Sequence, residues 1–327
     1  MNGRVVIMKK VVIIGDLFLD ILPSPLPIKK DLVLHEGETF VKSVTFQRGG
    51  CAGNFAAVMA NLMPSDEILF VSKVGNDQNG DFLINQMQSF GITTKIGKSE
   101  MGTAITIAVA YKGGERHFIT YNGAMDDFTL EDVNLDLFQD ADHLVWRGIW
   151  FTPHLLHNAA TFLSAAKKHN VSISMDLGFD PFWSNPSLGD VEKRKKSALK
   201  SLKYVDYLFG NAMEIAKLTD EDELEKSVHG LFQNQVKNVV IHKGSDGSLI
   251  YNQNMQKVMT PAFPEKSKMN PVGTGDTHDA AFLFRLMRGD NIKSAAKYAS
   301  KAAAYSLSHP AGTKITEKKI EKFDNTM

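Results

Sequence analysis

The run Val11-Val12-Ile13-Ile14-Gly15-Asp16-Leu17-Phe18 is a short aliphatic segment that ends in Gly-Asp. Four branched apolar residues in a row read as a parallel strand buried on both faces. The residues just after such a strand distinguish one α/β fold from another. A dinucleotide-binding sheet needs Gly-x-Gly-x-x-Gly after its first strand, and Gly15-Asp16-Leu17-Phe18 does not supply it. Similar short apolar runs recur at Ile68–Val71, His143–Trp146, Val171–Met175, Tyr207–Phe209 and Asn238–Ile241. Helical patterns alternate with them at Asn54–Leu62, Phe82–Phe90, Leu155–Lys168, Val191–Leu202, Met213–Leu218 and Leu224–Val236. Repeated strand-helix units imply an α/β fold, a mostly parallel sheet with helices on both faces. Ser248–Asn252 and Val258–Thr260 read as an antiparallel edge, followed by helices over Thr277–Met287 and Ile292–Leu307.

Composition narrows the class. Across 327 residues, 37 Lys plus Arg balance 37 Asp plus Glu, so the chain lacks the basic excess that nucleic acid or anionic lipid requires. No stretch approaches the roughly 18 apolar residues of a membrane span. Val5-Val6-Ile7-Met8, interrupted by Lys9 and Lys10, is too short for a signal peptide, and the single Cys51 cannot form an internal disulfide. The expectation is a cytoplasmic protein that binds neither nucleic acid nor membrane. With no repeat and no linker rich in Pro, Gly and Ser, residues 1–327 read as one α/β domain.

Two stretches break the strand-helix rhythm. Val33–Phe46 is one; the other is a hairpin in which Thr103–Tyr111 and His117–Thr120 flank Lys112-Gly113-Gly114-Glu115. Residues of about 31–47 and 102–122 are therefore expected to form a small sheet over one edge of the main domain, a lid. Its exposed strands would be adhesive unless paired with another copy, which predicts a homodimer through the lid.

Near the C-terminus, Asn270-Pro271-Val272-Gly273-Thr274-Gly275-Asp276-Thr277-His278 leads into the apolar run Ala280–Phe284. A Gly-x-Gly turn lets backbone N–H groups converge at a helix N-terminus, a volume suited to a phosphoryl group. Asp276 at its mouth has two readings: a base that takes the proton of an incoming hydroxyl, or a simple helix cap. A second glycine-rich turn, Gly49-Gly50-Cys51-Ala52-Gly53-Asn54, also opens a helix. Asn211-Ala212-Met213-Glu214 and Lys243-Gly244-Ser245-Asp246-Gly247 each come after a strand.

Taken in order, these motifs make the chain resemble the ribokinase-like carbohydrate kinases, the phosphofructokinase B family. The likeness spans nearly the whole chain: a Gly-Asp strand end, Gly-Gly-x-x-x-Asn-x-Ala, Gly114-Glu115-Arg116 and Tyr121-Asn122-Gly123-Ala124, Asn-x-x-Glu, Gly-x-x-Gly and Gly-x-Gly-Asp. The resemblance implies a three-layer α/β/α fold with a small β lid, and ATP-dependent phosphorylation of a hydroxymethyl group on a sugar or sugar-like acceptor. It makes Asp276 the base and Gly273, Thr274 and Gly275 the anion hole. Asp16, Gly49, Gly50 and Asn54 would bind acceptor hydroxyls, and Asn211, Lys243, Gly244 and Gly247 the nucleotide. Glu214 would position Mg²⁺ through water, with a monovalent cation as a further candidate activator. A lid would exclude water and so prevent ATP hydrolysis.

The chain departs from the family pattern in places. His278 and Asp279 stand where small or aromatic residues are usual, and Asp176-Leu177-Gly178-Phe179-Asp180 lacks the Arg of an Asp-x-Asn-x-Arg motif, which argues against an acceptor already bearing phosphate. Arg147, at a strand end, is read either as an acceptor contact or as a surface ion pair. Other readings fare worse. Gly91–Ser99 has one residue too many between its glycines for a phosphate loop, and His154 with His157 lacks a third zinc ligand. Lys193-Arg194-Lys195-Lys196 reads as a solvated helix face. The rival functions are an adenosine or pseudouridine kinase of the same fold, and a non-catalytic sugar sensor.

Overall fold

The computed structural model describes residues 10–26, 38–111, 116–264, 272–310 and 312–323. Among these, thirteen strands form: β1 (Val11–Gly15), β2 (Phe18–Pro23), β3 (Val44–Gly49), β4 (Ile68–Gly75), β5 (Thr93–Ser99), β6 (Ile105–Ala110), β7 (Arg116–Tyr121), β8 (His143–Arg147), β9 (Ser172–Asp176), β10 (Tyr207–Asn211), β11 (Asn238–His242), β12 (Ser248–Asn252) and β13 (Lys257–Thr260).

Nine of them make one sheet in the order β13-β12-β11-β10-β9-β8-β1-β4-β5. Every neighbouring pair from β11 to β5 is parallel, and β12 and β13 run antiparallel at one edge. β1 is an interior strand, and Val11 to Ile14 are fully buried because both faces are covered. Val12, Ile14, Leu144 and Trp146 pack under the helices of residues 153–233. Val11, Ile13, Val145 and Phe209 pack under the helices Cys51–Leu62, Gln78–Ser89, Thr274–Met287 and Ile292–Leu307. The strand order reverses direction between β1 and β8, and an open α/β sheet binds ligands at that switch, beyond the carboxyl ends of the strands.

A second sheet has the order β3-β2-β6-β7. Of the first excursion, 27–37 lies outside the described residues, and the strand that forms begins only at Val44. Its partner β2 was not expected. Only Asp16 and Leu17 separate it from β1, so the apolar letters run on and hide the boundary. The hairpin strands β6 and β7 pair from Ile105 with Tyr121 to Ala110 with Arg116; the turn 112–115 and the segment Asn270-Pro271 lie outside the described residues.

Other differences have local causes. Within Gly91–Ser99, set aside above as a phosphate loop, Thr93–Ser99 forms the edge strand β5, whose mostly polar residues masked it. Leu155–Lys168 is two helices, Pro153–His157 and Ala159–Lys168, parted at Asn158, whose Nδ2 donates to the His154 carbonyl at 2.9 Å. Of Lys193–Lys196 only Lys193 and Lys196 are exposed: Arg194 Nε donates to Asp180 at 2.9 Å and stacks over Phe182, while Lys195 is buried against Asp220. No helix among the described residues is long and apolar enough to cross a membrane.

Candidate active site

The carboxyl ends of four parallel strands each close on a polar residue: Asp16 after β1, Arg147 on β8, Asp176 on β9 and His242 on β11. Arg147 lies opposite Gly15 in the ladder, at the switch point itself. It is only 2% exposed. Its Nη2 donates to Asp276 Oδ1 at 2.8 Å and pairs with Asp176 Oδ2 at 3.0 Å, while Nη1 donates to Asp279 Oδ2 at 3.0 Å. Its guanidinium also stacks on Phe55. The expectation of a surface ion pair is therefore corrected: Arg147 is the buried hub of three carboxylates, shaped for this by its planar fork.

Asp276 sits in the first turn of the Thr274–Met287 helix. Gly273 precedes that turn with φ of 73°, a left-handed conformation that glycine accepts without strain. The first intrahelical bond runs from Thr277 N–H to the Gly273 carbonyl at 2.9 Å, so the N–H groups of Gly275 and Asp276 are offered at the helix end. Burial raises the Asp276 carboxyl above its ordinary range, with Arg147 opposing the shift; Asn54 also hydrogen-bonds to it. Arg48 Nη1 in turn donates to Asn54 Oδ1 at 2.6 Å.

Asp16 faces this group. Its carboxylate accepts the Cys51 N–H at 3.0 Å and the Ala52 N–H at 2.8 Å, which ties β1 to the glycine turn Gly49-Gly50. Burial pushes its carboxyl up to about 6 despite those two bonds. Gly148, at φ of 65°, lies so close that a Cβ would stand 2.2 Å from the Asp16 Oδ1. Asp20, in β2, is buried too, and burial pushes it up to about 7 against the pull of Arg48.

On the other flank, Asn211 and Glu214 form a capping box at the start of the helix Ala212–Thr219. Asn211 N–H donates to Glu214 Oε2 at 2.8 Å and Glu214 N–H to Asn211 Oδ1 at 2.9 Å. Burial raises the Glu214 carboxyl, and no hydrogen bond reaches its Oε1 among the described residues. Lys243 N–H bonds the Gly247 carbonyl at 2.8 Å and Gly247 N–H the Gly244 carbonyl at 3.1 Å, a closed turn whose Lys243 and Gly244 are exposed.

The structure thus brings together Asp16, Asn54, Gly273, Gly275 and Asp276, with Gly49 and Gly50 in the adjoining turn. Lys243, Gly244 and Gly247 do not touch that group; they join it only through the neighbouring His242. Asn211 lies opposite His242 in the β10–β11 ladder, and Glu214 is within electrostatic reach of that histidine. Sequence reasoning missed His242, Asp20 and Arg48, and left Asp176 and Asp279 without roles. One signal was available for two of them: Asp176 and His242 are each the polar residue that ends a short apolar run, as Asp16 does. His278 is buried, donates from Nδ1 to Asp279 Oδ1 at 3.1 Å and stacks on Phe282, a structural position.

The architecture, a large mostly parallel sheet between helical layers with a small second sheet, is the ribokinase-like fold. It superimposes at a TM-score of 0.81 on the adenosine kinase from Sinorhizobium meliloti, at 21% identity, covering 96% of this chain and 99% of that one. A putative ribokinase II from E. coli, solved with ATP and Mg²⁺, gives a TM-score of 0.80 at 20% identity, with 96% and 98% covered. The family model of the pfkB carbohydrate kinases matches residues 8–319. The chain belongs to that family and is an ATP-dependent kinase. Among curated proteins it is 28% identical over 291 residues to a 5-dehydro-2-deoxygluconokinase of Listeria monocytogenes, with 84% of each chain covered.

Proposed function

We propose that the chain transfers the γ-phosphoryl group of ATP to a hydroxymethyl group of a small sugar or sugar acid, with Asp276 as base. The observation that supports this most is the placement of the buried Asp276 carboxylate at the glycine-led N-terminus of the Thr274–Met287 helix. A proton acceptor and an anion-stabilising helix end share one small volume there. The raised carboxyl makes Asp276 a stronger base than an exposed aspartate, and Arg147 fixes its orientation.

Asp16 and Asn54, with the backbone of Gly49 and Gly50, orient the acceptor. The open Oε1 of Glu214 fits the role of holding a hydrated Mg²⁺, and Lys243, Gly244 and Gly247 flank the nucleotide. Bound Mg²⁺ would neutralise charge on the donor phosphates. The acceptor class named for the curated relatives, a dehydro-deoxygluconate, heads the candidates because those relatives align over most of both chains.

The second sheet acts in this reading as a lid, and as the face of a homodimer. Phe46 on β3 and Phe118 and Tyr121 on β7 are 57%, 50% and 52% exposed, an apolar surface that a second copy would cover. Sedimentation of the purified chain tests this: a monomer at all concentrations removes the dimer.

The decisive assay is ADP release from ATP and Mg²⁺ with 5-dehydro-2-deoxygluconate, 2-keto-3-deoxygluconate, ribose, fructose, adenosine and pseudouridine. Turnover with a sugar or sugar acid, lost in Asp276→Asn, is the expected result. Turnover with a nucleoside alone moves the acceptor class, and binding without turnover leaves a sensor.

A further inference from the structure

His242 closes β11 at the same edge of the sheet as Arg147 closes β8. Its Nε2 is 2.7 Å from Asp279 Oδ1, and the other oxygen of Asp279 is held by Arg147 at 3.0 Å. Asp279 is therefore anchored on both sides and completely buried. Among its three partners Arg147 and His278 are 2% and 7% exposed, whereas the His242 side chain is 23% exposed, so it is the one that reaches solvent.

The Cε1–Nδ1 side of the imidazole lies beside the glycine turn. A methyl group built on Gly275 would stand 3.8 Å from Cε1 and 3.9 Å from Nδ1, ordinary contact distances with no atom between. Nδ1 makes no hydrogen bond among the described residues. Burial alone would strip the proton from this ring, but the Asp279 carboxylate outweighs burial and holds His242 at about 9. Asp279, pulled well below the usual carboxylate range by His242 and Arg147, stays ionised although buried. Nδ1 thus bears a proton, beside the helix end that offers the N–H of Gly275.

The trio His242, His278 and Asp279 also has the spacing of a metal site. Arg147 on the same carboxylate supplies the cation already, which argues against a second one.

We propose that His242 is a further catalytic residue: anchored on Asp279 through Nε2, it donates its Nδ1–H to a non-bridging oxygen of the phosphoryl group in transfer, across Gly275. The inference rests on the kinase reading above. In the step itself the acceptor oxygen forms a bond to the γ-phosphorus, and the bond from that phosphorus to the β–γ bridging oxygen breaks, its electron pair leaving with ADP. The acceptor proton passes to Asp276. His242 neither gains nor loses a proton; its hydrogen bond strengthens as charge spreads over the transferring group.

Two measurements on the full chain test the proposal. In protein labelled with ¹⁵N-histidine, the Nδ1–H resonance of His242, assigned by its loss in His242→Gln, should move when ADP, Mg²⁺ and tetrafluoroaluminate are added together and stay near its free position with ADP and Mg²⁺ alone. In steady-state assays with whichever acceptor is turned over, His242→Gln should lower kcat by tenfold to a thousandfold and leave the acceptor KM within about threefold. An Nδ1–H blind to tetrafluoroaluminate, or full kcat in His242→Gln, overturns the role of His242 while wild-type turnover keeps the kinase reading intact. A wild-type chain that phosphorylates no acceptor overturns that reading, and this inference with it. Because the resonance is read in the wild-type fold, an unstable variant does not shield the proposal.

Discussion

Arg147 Nη2 stands 2.8 Å from Asp276 Oδ1, a buried guanidinium in direct contact with the carboxylate at the glycine-led helix end. Arg147 and burial act in opposite directions on this carboxyl. Arg147 lowers its proton affinity, while burial raises it further, and the balance leaves Asp276 above an ordinary aspartate. The ion pair also fixes the rotamer, so one oxygen stays directed away from Arg147 toward Asn54 and Gly273.

Asp276→Asn keeps the shape of the side chain and leaves Arg147 with Asp176 and Asp279. The variant is expected to fold and bind ATP, with turnover lower by roughly a hundredfold or more. Calorimetric ATP binding beside the steady-state rate checks this, and unchanged turnover would remove Asp276 from the mechanism.

Arg147→Ala leaves three buried carboxylates without their shared cation. The expected cost is about 3–5 kcal/mol of stability, read by chemical denaturation. Arg147→Lys should recover only part of it, because a single ammonium cannot span Asp176, Asp276 and Asp279 at once. A lysine variant as stable as the parent would show that geometry is not what this pair requires.

Asp20 predicts a pH dependence. Its carboxyl rises from 3.8 to about 7 on folding, through burial, with Arg48 opposing. Between those values the folded chain holds a proton that the unfolded chain has lost. Stability from this group is therefore greatest below the lower value, falls as pH rises toward the upper one and is flat beyond it. Asp20→Asn should raise Tm by several degrees above about pH 8 and little near pH 4. A gain of equal size at both ends would assign it to packing instead.

Gly148→Ala places a Cβ 2.2 Å from Asp16 Oδ1 on a left-handed backbone. The Asp16 carboxylate must move, and with it the bonds to Cys51 and Ala52. Acceptor KM is expected to rise at least tenfold while ATP binding changes little, as comparison of the two saturation curves would reveal. Equal losses for both ligands would mean a general collapse of the region.

Glu214→Gln retains the capping bond to Asn211 N–H but loses the charge. Half-saturation by Mg²⁺ should require several-fold more metal at fixed ATP, with the melting temperature within a few degrees of the parent. An unaltered Mg²⁺ titration would confine Glu214 to capping its helix.

The parallel sheet was legible because its strands are buried on both faces and therefore written in runs of aliphatic residues. Edge strands lack that mark: β5 is polar but for Ile96 and a glycine, β3 alternates apolar with polar residues at its start, and both dissolve into their surroundings. Asp276 and Asp16 could be singled out because each comes directly after a glycine at the end of an element. The hub could not, since Arg147, Asp176, Asp279 and His242 come from four separate elements, and nothing in the spacing of their letters encodes that they meet. Arg147 and Asp176 meet through the pairing of β8 with β9, which exists only once the sheet is assembled.

Two of the joints between the sheets coincide with the residues proposed to hold the acceptor. Between β1 and β2 there are two residues, Asp16 and Leu17, and between β3 and the Cys51–Leu62 helix there is one, Gly50. Any swing of the smaller sheet against the larger turns on those few residues together with the connections 100–104 and 122–142, which tie β6 and β7 to the main sheet. Fingers and wrist overlap at two of these joints, so in the reading proposed above a mutation there that alters the grip on an acceptor also alters how the small sheet is carried.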